Sequence, residues 1–292
     1  VAFQSSLYYS KERLQGRSPN GITHSDKLAD PIIVHPEIRK SLLKMKSLNE
    51  GIRGLMILTG LQIDLSNKKI NSEIEIFSND WVSLMTPVLK SFATDVGLES
   101  ANTALQIYGG HGYVKDHGIE QLVRDARIGP IYEGTNGIQA LDLVGRKLHI
   151  EERRLFKNFI LYVEEFINKN ESNEYLSSFF KLFKNSFEDL KKASDYIYEN
   201  YENKSKMLSP AVDYLKIFAL VSIGFIWLRF IEISNNKNEE EDKEGFYKSK
   251  IETGIFYITQ VLPETNSLLT KIISGSDSYN KYDDKFFDLG FN

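Results

Sequence analysis

The residue of this chain best placed to do chemistry is a carboxylate in a glycine-bounded turn. Glu133 sits in Ile128-Gly129-Pro130-Ile131-Tyr132-Glu133-Gly134-Thr135-Asn136-Gly137, directly after a helix-length amphipathic segment. Punctuating residues flank an apolar pair and the acid follows at once, toward whatever cavity the turn lines. A carboxyl group held among apolar neighbours has its charged form disfavoured, so its pKa is expected to rise toward the range useful for moving protons at neutral pH. Glu133 is therefore the candidate general base. Most loop glutamates are solvated surface groups, and spacing alone leaves both readings open. Thr135 stands at the N-cap position of the next predicted helix, whose N–H groups and positive dipole end favour an anion or a polarised carbonyl.

A second group of residues offers close backbone approach. A helix predicted over 94–108 stops at Gly109-Gly110, just past Gln106. Glycines there let the chain turn sharply and let a pyrophosphate or adenine reach the main chain with no Cβ in the way. A plain C-cap needs one glycine, and two followed by His111-Gly112 point to close approach. No strand precedes them, so this is not a G-x-G-x-x-G dinucleotide fingerprint. His111 is read as structural or as a phosphate neighbour rather than a proton carrier. Arg13 and Gln15 end the first predicted helix in Glu12-Arg13-Leu14-Gln15-Gly16-Arg17, where an arginine also complements the helix dipole.

The elements that must position these residues are helical throughout. Apolar residues Val1, Phe3, Leu7, Tyr8 and Leu14 predict an amphipathic helix that Gly16 and Pro19 end. From Pro36, a favourable first helical position, apolar positions recur at helical spacing to about 65. The stretch 66–79 reads as a polar loop, with Asp80 capping a helix whose inner face is Trp81, Leu84, Met85, Val88, Leu89 and Phe92. A short helix is expected over 119–126. After Gly145, aromatic residues and lysines alternate, and 151–169, 174–201, 209–234 and 244–274 read as four helices. The acidic run Glu239-Glu240-Glu241-Asp242 reads as a solvated connector rather than an ion-binding tract. The expected fold class is all-α, with a bundle over 1–148 and a second helical domain over 149–292.

Composition narrows the function classes. The chain has 292 residues, 41% hydrophobic and 26% charged, and no cysteine, so disulfides and thiolate metal sites are excluded. A formal net charge of −4, with 24 Asp and Glu against 19 Lys and Arg over 151–292, gives no basic footprint for nucleic acid. The apolar window 217–228 falls short of the ~20 residues a bilayer-spanning helix needs and is read as a buried core helix. Val1 is followed by no signal-peptide pattern, the chain reads as beginning mid-protein, and the expected compartment is cytoplasmic.

Three blocks in order, Gln106-Ile107-Tyr108-Gly109-Gly110-His111-Gly112-Tyr113, Arg124-Asp125-Ala126-Arg127-Ile128 and Ile131-Tyr132-Glu133-Gly134-Thr135-Asn136-Gly137-Ile138-Gln139, resemble the C-terminal signature of the acyl-CoA dehydrogenases. Leu141-Asp142-Leu143-Val144-Gly145-Arg146-Lys147 and the long tail resemble the larger members with an extra C-terminal helical domain, a group that includes the 3-methylthiopropanoyl-CoA dehydrogenases. The resemblance implies FAD as cofactor, with Arg13, Gln15, Gln106, Gly109, Gly110 and Thr135 as its contacts. Arg13 and Gln106 would reach a flavin held by a neighbouring subunit, so a homo-oligomer, most simply a dimer, is expected. It further implies an acyl-CoA substrate beside Tyr132 and Gly134, Glu133 as the base of α,β-dehydrogenation, and an electron-transfer flavoprotein as acceptor. The sequence departs from the pattern at Gly137, where the family often carries Gln, and before Gly16, where it often carries Phe. The resemblance covers the C-terminal half of such an enzyme, so the alternatives are a partial chain or a non-catalytic helical interaction module.

Overall fold

The computed structural model describes residues 1–68, 70–237 and 240–290. Glu239 of the acidic run therefore lies outside the described residues. The all-α expectation holds: among the described residues the sole β pairing is an isolated bridge between Leu14 and Pro31. The helices are α1 (Ala2–Glu12), α2 (Pro36–Lys68), α3 (Ser72–Tyr108), α4 (Gly110–Tyr113), α5 (Ile119–Arg127), α6 (Asn136–Gly145), α7 (Arg154–Lys169), α8 (Glu174–Glu199), α9 (Lys204–Leu208), α10 (Ala211–Asn235), α11 (Phe246–Phe256), α12 (Glu264–Ser274) and α13 (Asp277–Asn280).

Two expectations fail at α3, which is one 37-residue helix where a loop, a cap and two helices were expected. Asn71 caps it, its Oδ1 accepting from the Ile74 N–H at 2.8 Å. Asp80 is instead a buried mid-helix carboxylate. It accepts from Arg154 Nε and Nη2, both at 2.9 Å, and from Asn158 Nδ2 at 2.8 Å. The polar look of 72–79 hides an inner stripe in which Ser78 and Trp81 are buried, Ser78 donating to Gln62 Oε1 at 2.8 Å and Trp81 Nε1 to Thr59 Oγ1 at 3.1 Å. The segment 244–274 is also broken. A π-helical turn at Tyr257–Val261 and then Pro263 separate α11 from α12, as expected where a proline removes a main-chain donor.

The chain divides into two compact units. The first comprises Val1–Leu58, Leu89–Asn136 and Ile223–Val261. In it Ile32, Leu42, Met45 and Ile107 form a buried cluster, against which Phe3, Leu7 and Tyr9 of α1 pack. Close backbone approach fixes a second contact: a Cβ added at Gly54 of α2 would sit 2.5 Å from Ile226 Cγ2 and 2.7 Å from Phe230 Cζ of α10. Trp227 Nε1 donates to the Ser47 carbonyl at 3.1 Å beside it.

The second unit comprises Thr59–Val88, Gly137–Ser222 and Leu262–Asn292. Its interior is aromatic, with Phe159 against Phe218 at 4.9 Å and Trp81 against Phe159 at 5.9 Å between ring centres. Two buried polar pairs lie inside it, Ser194 Oγ with Tyr214 Oη at 2.8 Å and Thr265 Oγ1 donating to Asp189 Oδ2 at 2.8 Å. Before α7 the chain makes a turn the sequence did not signal: Glu151, Glu152 and Arg153 all have left-handed φ, at 42°, 51° and 72°. α10 is long and apolar enough to cross a membrane by length and composition, yet 78% of its apolar window is buried inside the protein, as in a core helix.

Candidate active site

The turn after α5 is shaped by main-chain bonds before any side chain enters. The Ile131 and Tyr132 N–H groups both donate to the Ile128 carbonyl, at 2.9 and 3.1 Å, and the Asn136 N–H reaches back to the Pro130 carbonyl at 3.0 Å. Closing the chain so tightly forces Glu133 and Gly134 into left-handed conformation, with φ of 54° and 79°. Glycine adopts that region freely, whereas for glutamate it costs on the order of 1 kcal/mol or more. The expected apolar enclosure is not made by this turn. Glu133 is exposed, and Ile131 and Tyr132 are 45% and 53% exposed. Among the described residues these three side chains are left largely open to solvent. Thr135 and Gly134 share this exposed turn, and α6 begins directly after Thr135.

Five of the six residues expected to touch a cofactor meet elsewhere in the same unit. Arg13, Gln15, Gln106, Gly109 and Gly110 line one cleft of about 660 Å³. Thr135 is not among its walls. Gly109 has φ 58° and ψ −137°, a conformation that glycine alone adopts without strain. Behind the glycines Tyr9 stacks on Tyr108 with 4.0 Å between ring centres, and its hydroxyl lies 2.9 Å from His111 Nδ1 and 3.3 Å from the Tyr108 carbonyl. Tyr9 thereby bridges the residues on either side of the diglycine. His111 itself also lines the cleft. Sequence reasoning missed Tyr9, His35 and Glu37 in the cleft walls, because nothing local ties Tyr9 to a turn some hundred positions later.

The far wall is held by a buried carboxylate. Asp30 is fully buried and accepts from the Ser18, Thr23 and His24 N–H groups at 2.9, 3.1 and 2.8 Å, with Arg17 Nη1 at 3.4 Å. The Ser18 N–H foremost, with His24 and Thr23 behind it, holds the carboxyl well below the usual carboxylate range against the opposing effect of burial. Hydrogen bonds continue from Asp30 to the cleft: its main-chain carbonyl accepts from the Gln15 N–H at 3.0 Å, and the His35 side chain, through Nε2, pairs with the Gln15 carbonyl at 2.7 Å. Because the folded pKa is depressed, this contribution to stability is complete above the ordinary value of 3.8 and is lost as pH falls from there toward the folded pKa. An acid titration of unfolding free energy is expected to show that loss, and Asp30→Asn is expected to flatten it. An unchanged acid limb in Asp30→Asn would contradict the assignment.

Residues 23–148 match the family described as acyl-CoA dehydrogenase, C-terminal domain, and residues 159–283 the one described as acetyl-CoA dehydrogenase C-terminal like. The chain belongs to the acyl-CoA dehydrogenase family. It is 40% identical over 158 residues to the 3-methylmercaptopropionyl-CoA dehydrogenase of Ruegeria pomeroyi, covering 54% of this chain and 26% of that protein. It is 28% identical over 281 residues to a butyryl-CoA dehydrogenase of Syntrophomonas wolfei, covering 90% of this chain and 43% of the relative. Among solved structures, an acyl-CoA dehydrogenase from Bacillus anthracis complexed with FAD superimposes with a TM-score of 0.70 at 20% identity, over 97% of this chain and 47% of that one. The chain thus spans less than half the length of these relatives.

Proposed function

We infer that this chain is the C-terminal portion of an FAD-dependent acyl-CoA dehydrogenase that carries out α,β-dehydrogenation of an acyl-CoA thioester. The observation that carries the reading is the convergence of Arg13, Gln15, Gln106, Gly109 and Gly110 on one cleft, combined with family membership. These residues fit a flavin dinucleotide: an arginine and two amides suit its polar, anionic portion, and the diglycine leaves the main chain open to close approach. When bound, FAD supplies the two-electron acceptor.

The chain's own residues supply position and proton movement. Glu133 takes the α-proton of the acyl group, and Tyr132 and Gly134 flank the thioester. Thr135 stands at the start of α6, where its hydroxyl and the helix N-terminus favour a polar or anionic group. The exposure of Glu133 supports a site closed by further protein rather than by this turn alone. Residues 1–148 are read as the flavin-contacting bundle and 149–292 as a helical extension. An electron-transfer flavoprotein is the proposed acceptor, and the cytoplasm the proposed compartment.

The cleft and the base turn are proposed to serve different copies of the cofactor in a homodimer, the cleft reaching the flavin of the neighbouring subunit. Mixing two inactive variants tests this. Arg13→Ala/Gln15→Ala damages the cleft and Glu133→Gln the base, so a hybrid dimer keeps one site with both parts intact. Random pairing of equal amounts is expected to restore about a quarter of the wild-type rate, since about half the dimers are hybrids with one good site of two. No recovery in verified hybrids would place both parts at one subunit's own cofactor.

A further inference from the structure

The turn that carries Glu133 is tied to α3 by two side chains, Lys90, which no motif includes, and Asn136, which lies in the third block but has no role assigned there. Lys90 Nζ donates to the Gly134 carbonyl at 2.7 Å and to Asn136 Oδ1 at 2.9 Å. Asn136 Nδ2 in turn donates to the Ser91 carbonyl at 3.0 Å and to Asp95 Oδ1 at 2.7 Å. Lys90 also lies over the Tyr132 ring, 5.9 Å from its centre. Backing the same contact, a Cβ on Gly129 would come within 3.2 Å of Thr94. Lys90 and Asn136 are half-buried, and the bonds between them and from Asn136 to Ser91 are partly buried, while the Gly134 carbonyl and Asp95 ends are exposed.

The geometry says what these bonds accomplish. Glu133 and Gly134 form a left-handed step of two residues, and such a step relaxes unless both its ends are fixed. On the entering side the Tyr132 N–H is tied to the Ile128 carbonyl at 3.1 Å. On the leaving side the Gly134 carbonyl is held by a cation, and Asn136 anchors the next residue but one to α3. We propose that Lys90 and Asn136 are positioning residues that hold the Glu133–Gly134 step in its left-handed conformation and so aim the Glu133 carboxyl. This rests on the reading of Glu133 as the base.

The test uses the FAD-loaded full-length protein carrying Lys90→Met, Lys90→Arg or Asn136→Ala. Displacement of a catalytic group by about 1 Å costs on the order of 10²-fold in rate. Flavin reduction by acyl-CoA is therefore expected to slow by roughly 10–100-fold in Lys90→Met and Asn136→Ala, with substrate affinity within about threefold of wild type and partial recovery in Lys90→Arg. In a Glu133→Gln background Lys90→Met is expected to cost less than about threefold, because residues acting through one group are not additive. Multiplicative losses, or a Lys90→Met rate within about twofold of wild type, would overturn the proposal. Hydrogen exchange provides an arm independent of chemistry: the Asn136 amide, bonded to the Pro130 carbonyl, is expected to exchange at least ~10-fold faster in Lys90→Met. Unaccelerated exchange there overturns the clamp whatever the chemistry, whereas a wild type unreactive toward every acyl-CoA, with exchange accelerated in the variant, sinks the reading of the base and leaves the clamp standing.

Discussion

Glu133→Gln in the full-length enzyme is expected to leave FAD and acyl-CoA binding nearly intact and to slow flavin reduction by at least ~10²-fold. The amide is isosteric with the carboxyl, and glutamine meets the same left-handed conformation at φ 54° on similar terms, so the turn keeps its shape. What is lost is a proton acceptor, and general-base catalysis contributes roughly 10²–10⁴-fold. A merely solvated glutamate makes the opposite forecast, because its replacement changes stability by no more than about 0.5 kcal/mol and leaves reduction alone. Stopped-flow absorbance of the flavin with a series of acyl-CoAs separates the two. Reduction of the variant at close to the wild-type rate by its best substrate would remove Glu133 from the mechanism.

The largest expected effect on stability belongs to Asp80. Its side chain is 5% exposed and meets three N–H donors, two from Arg154 and one from Asn158. Hydrogen bonds to charged groups contribute about 1.5–3 kcal/mol each, and removing one partner of a buried pair leaves the other without compensation. Arg154 is 36% exposed and can recover part of that loss from water. Asp80→Ala is therefore expected to lower the unfolding free energy by about 2–4 kcal/mol in urea denaturation, with Asp80→Asn intermediate. A loss under about 0.5 kcal/mol for Asp80→Ala would show that solvent replaces these bonds at no cost.

Asp80 also shows where sequence reading runs out. Its type and place before Trp81 are those of a helix cap, but its three donors come from a helix more than seventy residues later, and no local pattern announces such a pairing. The same holds for Tyr9 against Tyr108 and for Lys90 against Gly134. What was legible is what local physics dictates: the apolar periodicity of α2, the glycine stop after Tyr108, and the amphipathic helices after residue 150. The three site blocks were legible through resemblance rather than through spacing. The left-handed run Glu151 to Arg153 was illegible because the residues carry none of the glycine or asparagine that usually marks such φ values. Ile131 and Tyr132 look like lining residues in sequence, and what would enclose Glu133 is not a local property of its turn, in which all three are exposed.

Anaerobic mixing of the FAD-loaded full-length protein with saturated acyl-CoA thioesters of increasing length tests the proposed activity most directly. The flavin absorbance is expected to bleach with at least one of them, with stoichiometric formation of the trans-2-enoyl-CoA. Fully bound flavin that no acyl-CoA in the series bleaches would contradict it.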